Sequence, residues 1–123
     1  MMSRLKKSFT HATIGLARLI RDEHNARIHA IATLIVFVAA IAFRVNRIEM
    51  AILFIAIIMV FGMEIINTAI EDLLDHLHPQ QHARIARIKD AMAGAVLVSA
   101  IIAAVVAWLI FWPYVRALFL SPQ

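Results

Sequence analysis

Apolar residues form three long runs along the chain, and short polar segments separate them. The runs cover residues 28–43, 50–70 and 91–112 and contain almost no charged side chains. Apolar runs of this length are typical of transmembrane helices. We therefore expect three membrane spans, with the second helix continuing into water as far as residue 76.

Residues 1–27 have a different pattern. Apolar residues recur in this segment at steps of three and four, at Leu5, Phe9, Ala12, Leu16 and Ile20. Most of the basic residues of the segment lie off this stripe. The spacing predicts an amphipathic helix that lies in the membrane interface.

Two polar connections complete the pattern. The sequence "RVNR", residues 44–47, makes a tight connection between the first two spans. Residues 76–90 form a longer loop that contains Pro79 and a short polar helix leading into the third span. We expect Pro113 to end that span, because proline lacks the N–H group that continues a helix. The whole chain, residues 1–123, is thus predicted to be a single all-α membrane domain.

Composition agrees with a membrane protein and excludes several kinds of chemistry. Of the 123 residues, 63% are hydrophobic, which exceeds the apolar share of soluble domains. The absence of cysteine excludes disulfides, thiolate catalysis and cysteine-ligated metal centres. The net charge of +4 comes from basic residues that flank apolar spans. The anionic partner is therefore expected to be the membrane surface, and nucleic acid is not expected.

The distribution of positive charge predicts an orientation. Nine of the 12 Lys and Arg residues lie in residues 1–27 and 76–90, whereas three lie on the opposite side of the spans, namely Arg44, Arg47 and Arg116. By the positive-inside rule, the N-terminus and the 76–90 loop face the cytoplasm. Every acidic residue except Glu49 lies at or near the same side. We expect the chemistry to occur there.

Three acidic residues lie on one face at the end of the second span. Glu64, Glu71 and Asp75 share this face, and Asn67 lies close to it. A carboxylate at the edge of hydrocarbon is costly unless it is paired, protonated or functional. Pairing of Glu64 with an arginine is the structural alternative. As a functional group, Glu64 lies at the depth of a lipid hydroxyl and suits a general base, whereas Glu71 lies nearer water and suits Mg²⁺ binding.

The remaining polar clusters are less specific. "RDE", residues 21–23, is compatible with a solvated corner, and Lys89 with Asp90 is compatible with snorkelling or with phosphate binding. The histidines of "HLHPQQH", His76, His78 and His82, do not have the spacing of a zinc site. Small residues at four-residue steps in the third span favour close helix packing and a homo-oligomer.

Three stretches of the sequence form one recognisable pattern: "DEHNARIH" (22–29), "EIINTAIEDLLD" (64–75) and "KDAMAGAVL" (89–97). Together they resemble the bacterial integral-membrane diacylglycerol kinase family, which includes undecaprenol kinases, and the resemblance covers residues 4–113. It implies a homotrimer of three-span protomers in the bacterial plasma membrane. Each protomer would carry an N-terminal surface helix, and neighbouring protomers would share active sites.

The resemblance also implies roles for individual residues. Glu64 would be the general base that takes the proton from the lipid hydroxyl, with Asn67 holding it in place. Glu23 and Glu71 would ligate the Mg²⁺ that bridges the phosphates of the co-substrate ATP, and Asp75 would support this end of the acidic face. The other residues expected at the nucleotide are Arg4, His11, His82, Lys89 and Asp90.

The expected activity is that of an ATP-dependent lipid kinase. Diacylglycerol is the first expected acceptor and undecaprenol the second. His11 and His29 depart from the diacylglycerol kinase branch, and "NARIH" is more similar to the undecaprenol kinase branch. Two other classes stay open: a small oligomeric proton-coupled transporter in which Glu64 titrates, and a non-enzymatic scaffold that tolerates neutralisation of the acidic face.

Overall fold

The computed structural model describes residues 2–77 and 82–120, which form four α-helices. The helices are α1 (Met2–Asp22), α2 (His24–Ala42), α3 (Arg47–Leu77) and α4 (Ala83–Leu120). The most extensive packing is between α3 and α4, while α2 packs on α3 and α1 packs on α2. The expected short polar helix and third span are one continuous helix, α4. His78 and Pro79, on which two expectations rest, lie outside the described residues.

Three of these helices, α2, α3 and α4, are long and apolar enough to cross a membrane. Many of their large apolar side chains are exposed on the single protomer, among them Leu34, Ile55 and Leu109. Apolar surface of this extent is stable against lipid. The expectation of an all-helical protein with three such segments is therefore confirmed. The interfacial position of α1, whose Leu5 and Phe9 are exposed, stays a prediction.

The chain bends between α1 and α2 at one residue, Glu23, which has an extended backbone (φ −95°, ψ 124°). Residues 24–27, assigned from the sequence to the surface segment, instead form the first turn of α2. Arg27 stabilises the bend, because its Nη1 donates a 2.8 Å hydrogen bond to the carbonyl of Arg21 at the end of α1. Arg21 in turn donates hydrogen bonds to Asp22, which lower the pKa of that carboxyl group.

The connection between α2 and α3 is a capped turn. Arg44 adopts a left-handed conformation, with φ of 52°, which reverses the chain after α2. The Asn46 side-chain oxygen then accepts 2.9 Å hydrogen bonds from the N–H groups of Ile48 and Glu49. Glu49 Oε2 accepts a 2.9 Å bond from the Asn46 N–H group, which completes a reciprocal cap. As a result α3 begins at Arg47, three residues before the predicted span.

The expectation that Pro113 ends the last helix is wrong, since α4 continues through it. Contacts on both sides of the proline hold α4 against the connection between α2 and α3. The Tyr114 hydroxyl donates a hydrogen bond to Glu49, and the Tyr114 ring lies 6.0 Å from the Phe43 ring. The Phe111 ring lies 5.9 Å from the same phenylalanine. These contacts offset the loss of one helical hydrogen bond.

Candidate active site

Two polar side chains of α3 are buried near its C-terminal end. Glu64 is 1% exposed and Asn67 is 7% exposed. Glu64 Oε2 and Asn67 Oδ1 have no hydrogen-bond partner within the described part of the chain. Neither of the two ion pairs among those residues involves Glu64, so the structural alternative of a paired carboxylate is not observed there. Buried polar atoms without partners are rare because they destabilise the fold, and they therefore point to a ligand.

A cavity of about 280 Å³, the polar cavity, lies beside these two residues. Its polar lining comes from the bend before α2, from α2 and from α3: Glu23, Asn25, His29, Glu64, Asn67 and Glu71. Its apolar lining comes from α4: Ala93, Val96, Leu97 and Ala100. The polar face of α3 is thus directed at two other helices, and four of the predicted site residues meet at one cavity.

Local structure explains why these residues meet. Residues 64, 67 and 71 follow one another at steps of three and four, so they lie on one face of α3. Glu23 reaches the same cavity because it stands at the bend where the chain turns from α1 into α2. On the opposite wall, α4 presents the small residues Ala93 and Ala100, which leave space in front of the α3 carboxylates.

A second cavity, the apolar cavity, has a volume of about 390 Å³ and lies between the same three helices. Apart from His29 and Thr33, its lining is aliphatic or aromatic. The α4 wall consists of alanines: Ala100, Ala103, Ala104 and Ala107. His29 and Ala100 line both cavities, so the polar and the apolar cavity are adjacent.

Asp75 and Lys89 lie outside the polar cavity and form an ion pair with each other. The pair joins the C-terminal end of α3 to the second turn of α4, and it keeps the Lys89 ammonium near the end of the acidic face. Asp90, which follows on α4, is exposed and does not line the polar cavity. Of these three predicted residues, the structure brings two together.

The remaining predicted residues also lie outside the lining of the polar cavity. Arg4 and His11 are exposed on α1 and do not line it. His82 Nδ1 accepts a 3.2 Å hydrogen bond from the backbone N–H of Arg84, so this side chain caps the start of α4. Within residues 2–77 and 82–120, no group of three or more His, Cys, Asp or Glu side chains is placed to hold a metal ion.

The sequence did not predict two residues of the polar cavity. Asn25 was not expected at the site, and His29 was noted only as a departure from the diacylglycerol kinase branch. A signal existed, since positions 25, 29 and 33 of the apolar α2 carry Asn, His and Thr at four-residue steps. That spacing places all three on one helix face. The structure directs this face at the two cavities.

The donor atoms of the polar cavity suit a magnesium ion. Glu23 and Glu71 each supply a carboxylate at this cavity. Mg²⁺ prefers oxygen ligands and, in phosphoryl-transfer enzymes, binds through one or two carboxylates together with substrate phosphates. The two carboxylates at one cavity therefore fit Mg²⁺ that is bound jointly with a nucleotide.

Comparison with known proteins identifies the family of the chain. Residues 10–111 match the family described as prokaryotic diacylglycerol kinase. The chain is 38% identical over 112 residues to an undecaprenol kinase of Bacillus subtilis, covering 91% of each chain. It is 31% identical over 113 residues to a diacylglycerol kinase of Escherichia coli, covering 91% of this chain and 92% of the relative. A diacylglycerol kinase of Synechocystis is 34% identical over 107 residues, or 86% of this chain and 61% of the relative.

These matches extend over most of the chain, and the residues that line the polar cavity lie within the matched range 10–111. They give no support to the transporter hypothesis, because the relatives are lipid kinases. A kinase of this family takes ATP as co-substrate and a lipid as acceptor. The chain therefore belongs to the prokaryotic diacylglycerol kinase family and is a membrane-embedded lipid kinase.

Proposed function

We propose that the protein transfers the γ-phosphoryl group of ATP to the hydroxyl group of a membrane lipid alcohol, and that the transfer takes place in the polar cavity. The observation that carries this proposal is the convergence of three carboxylates on one cavity between apolar helices. One of them, Glu64, is buried and has an unpaired oxygen. The other two, Glu23 and Glu71, line the same space.

Glu64 acts as the general base in this proposal. Its carboxylate accepts the proton of the acceptor hydroxyl while the acceptor oxygen attacks the γ-phosphorus atom. The bond between that phosphorus and the oxygen of the β-phosphate breaks, and ADP leaves with the electron pair. Asn67, one turn away on the same face, orients the hydroxyl group through its amide. Catalysis then depends on positioning and on neutralisation of charge.

Glu23 and Glu71 would hold Mg²⁺ in this proposal. Two carboxylates would repel the phosphates of ATP, so a cation is required between them. When bound, Mg²⁺ supplies neutralisation of the phosphate charge. The proposed ligands come from two parts of the chain, the bend before α2 and the C-terminal half of α3, so their alignment depends on how α2 packs on α3.

The proposed nucleotide site extends beyond the polar cavity. Lys89 and Asp90 would contact ATP from α4, with Asp75 keeping the Lys89 ammonium in place through their ion pair. His82 would contact it from the start of α4. Arg4 and His11 lie on α1 of the same protomer but do not line its polar cavity. The resemblance to a family whose neighbouring protomers share active sites supports a homotrimer in which a neighbouring protomer supplies these two residues.

The proposed acceptor is one of two lipid alcohols, undecaprenol or diacylglycerol. Sequence analysis placed diacylglycerol first, whereas the 38% identity to an undecaprenol kinase exceeds the 34% and 31% identities to diacylglycerol kinases. This difference supports undecaprenol as the preferred acceptor, with diacylglycerol as the second. The proposed location is the bacterial plasma membrane with the site on the cytoplasmic side. The excess of Lys and Arg in residues 1–27 and 76–90 supports this orientation.

The test uses purified protein in detergent with radiolabelled ATP, Mg²⁺ and either undecaprenol or diacylglycerol. We expect labelled lipid phosphate from both, with the higher kcat/KM for undecaprenol. If neither lipid is labelled, the proposed reaction is overturned.

The role of Glu64 has a separate test. Glu64→Gln keeps the side-chain shape and removes the base, so its kcat should fall by roughly 10²–10⁴-fold. Wild-type turnover by this variant would overturn the role of Glu64.

A further inference from the structure

His29 is the polar residue at the junction of the two cavities. It lies on α2, is half-buried, and lines both the polar and the apolar cavity. Ala100 of α4 is the other residue that lines both, and its side chain cannot form hydrogen bonds. Any molecule that extends from one cavity into the other therefore passes the imidazole of His29.

The His29 side chain is available to a ligand. It makes no hydrogen bond or ion pair within the described ranges, although it is half-buried between apolar helices. His29 and Glu64 both line the polar cavity, so a ligand in that cavity can reach both side chains. A neutral imidazole has one donor and one acceptor nitrogen, so it can bind a hydroxyl group in either sense.

The two cavities differ in chemistry in the same way as the two parts of a lipid alcohol. The polar cavity contains the carboxylates proposed for phosphoryl transfer, and the apolar cavity is lined almost entirely by carbon. A lipid alcohol has one hydroxyl group at the end of a hydrocarbon chain. If the lipid enters from the apolar cavity, the carbon atoms next to its hydroxyl occupy the junction of the two cavities. The hydroxyl itself then lies in the polar cavity, between His29 and Glu64.

We propose that His29 is an acceptor-binding residue, whose imidazole hydrogen bonds the hydroxyl of the lipid alcohol and directs it to Glu64 while the hydrocarbon chain occupies the apolar cavity. This inference rests on the proposed function and adds to it the residue that recognises the acceptor. His29 takes no part in binding ATP or Mg²⁺ in this arrangement. Loss of the His29 imidazole should therefore weaken binding of the lipid acceptor and leave ATP binding unchanged.

The test compares His29→Leu with His29→Gln, using undecaprenol and ATP as the two varied substrates. Leucine removes the hydrogen bond, whereas glutamine retains a donor and an acceptor at a similar distance from the backbone. We expect His29→Leu to raise the KM for undecaprenol about tenfold with the KM for ATP unchanged, the size expected for one lost hydrogen bond. His29→Gln should recover most of this loss.

His24→Leu is the matched control, because His24 lies on the same helix, is exposed and lines neither cavity. It should leave both KM values within twofold of wild type. Two results would overturn the inference: an unchanged undecaprenol KM in His29→Leu, or equal damage by the leucine and glutamine variants. Both results require wild-type protein that phosphorylates lipid, so they are distinct from failure of the proposed function.

The apolar cavity is tested by filling it. Ala103→Phe places a large side chain in the α4 wall, and Val105→Phe adds the same side chain at an exposed position outside both cavities. We expect Ala103→Phe alone to raise the undecaprenol KM about tenfold. An unchanged KM for undecaprenol together with an altered oligomeric mass would show that a neighbouring protomer occupies this cavity. That result would overturn the proposal that the hydrocarbon chain of the lipid lies there.

Discussion

At the scale of single residues, the unusual feature is a buried carboxylate with no cation bonded to it. Glu64 is enclosed by α2, α3 and α4, and one of its oxygens has no partner among the described residues. Burial of such a group destabilises the folded state. The protein retains it in a helix whose other buried side chains are aliphatic apart from Asn67. Residues that are costly to the fold are expected where they serve catalysis.

The cost of Glu64 to the fold can be measured. A neutral amide is less costly to bury than a carboxylate, so Glu64→Gln should stabilise the protein by about 1 kcal/mol or leave its stability unchanged. The measurement is the thermal unfolding midpoint in detergent, recorded beside kcat. An unfolding midpoint several degrees below that of the wild type would contradict this prediction, since it would show that the carboxylate stabilises the fold.

Glu71 and Asp72 are adjacent in sequence but point in different directions. Glu71 lines the polar cavity, whereas Asp72 is exposed and lines a separate space between α1 and α3. Glu71→Gln should therefore raise the Mg²⁺ concentration needed for half-maximal activity by about tenfold, because one proposed ligand loses its charge. Asp72→Asn should leave it unchanged. The two titrations with Mg²⁺ are compared directly, and equal curves would remove the metal role of Glu71.

Sequence analysis identified the site residues that share a helix more readily than those that do not. The steps between Glu64, Asn67 and Glu71 reveal a common face, because a helix repeats every 3.6 residues. Periodicity does not relate one helix to another, so Glu23 entered the site through the resemblance to a family. Asn25 was missed and His29 was only noted, since the polar spacing in α2 has a meaning only once α3 lies beside it.

At the scale of helices, the observed helix ends differ from the predicted ones at the positions where a cap or a tertiary contact stabilises the helix. The start of α3 is explained by the Asn46 cap, and "NRIE" at residues 46–49 contains the cap signal. The bend at Glu23 has no glycine or proline to mark it. The continuation of α4 through Pro113 depends on contacts with Phe43 and Glu49, which are distant in sequence. Local rules of helix termination omit such contacts.

The Asn46 cap has a measurable value. Asn46→Ala removes the acceptor for two backbone N–H groups of α3 and should lower stability by about 0.5–2 kcal/mol. Asn46→Asp keeps an acceptor oxygen and should remain close to wild type. Thermal unfolding in detergent distinguishes the two. Equal loss in both variants would indicate that the amide nitrogen, and not the cap, is what matters at this position.

Tyr114 provides a second test at this scale. Tyr114→Phe keeps the ring against Phe43 but removes the hydrogen bond to Glu49, and it should lower stability by about 1 kcal/mol. The loss should be smaller in a Glu49→Gln background, where the hydroxyl can still donate to the amide oxygen but the hydrogen bond is no longer charge-assisted. The four unfolding midpoints form a double-mutant cycle. Additive losses would show that the two residues act independently.

At the scale of the whole molecule, one cavity of the protomer collects the proposed base and metal ligands, whereas the other proposed nucleotide contacts lie outside that cavity. Glu64 and Glu71 line one cavity, while Arg4 and His11 of the same chain do not line it. Exposed apolar side chains cover α2, α3 and α4 and are suited to contact with lipid or with other protomers. The proposed trimer with shared sites would supply the missing α1 residues from a neighbour.

Subunit mixing tests the sharing of sites. If α1 of one protomer completes the site of another, protomers carrying Glu64→Gln and protomers carrying Arg4→Ala should complement each other when coexpressed. Each variant alone should be nearly inactive, and a mixture should recover a fraction of wild-type activity, because some sites combine two intact halves. Activity is measured on purified mixed oligomers that carry two different affinity tags. A mixture as inactive as its components would contradict shared sites.

The length of α3 has a consequence for the lipid environment in which the enzyme works. Its 31 residues span about 46 Å, which exceeds the roughly 30 Å hydrocarbon layer of a bilayer. Glu64 lies about 26 Å along the axis from the capped start of the helix. The helix therefore fixes the distance between one membrane surface and the Glu64 carboxylate. Bilayers with shorter or longer acyl chains would shift that carboxylate relative to the lipid hydroxyl, so turnover should have an optimum in membrane thickness.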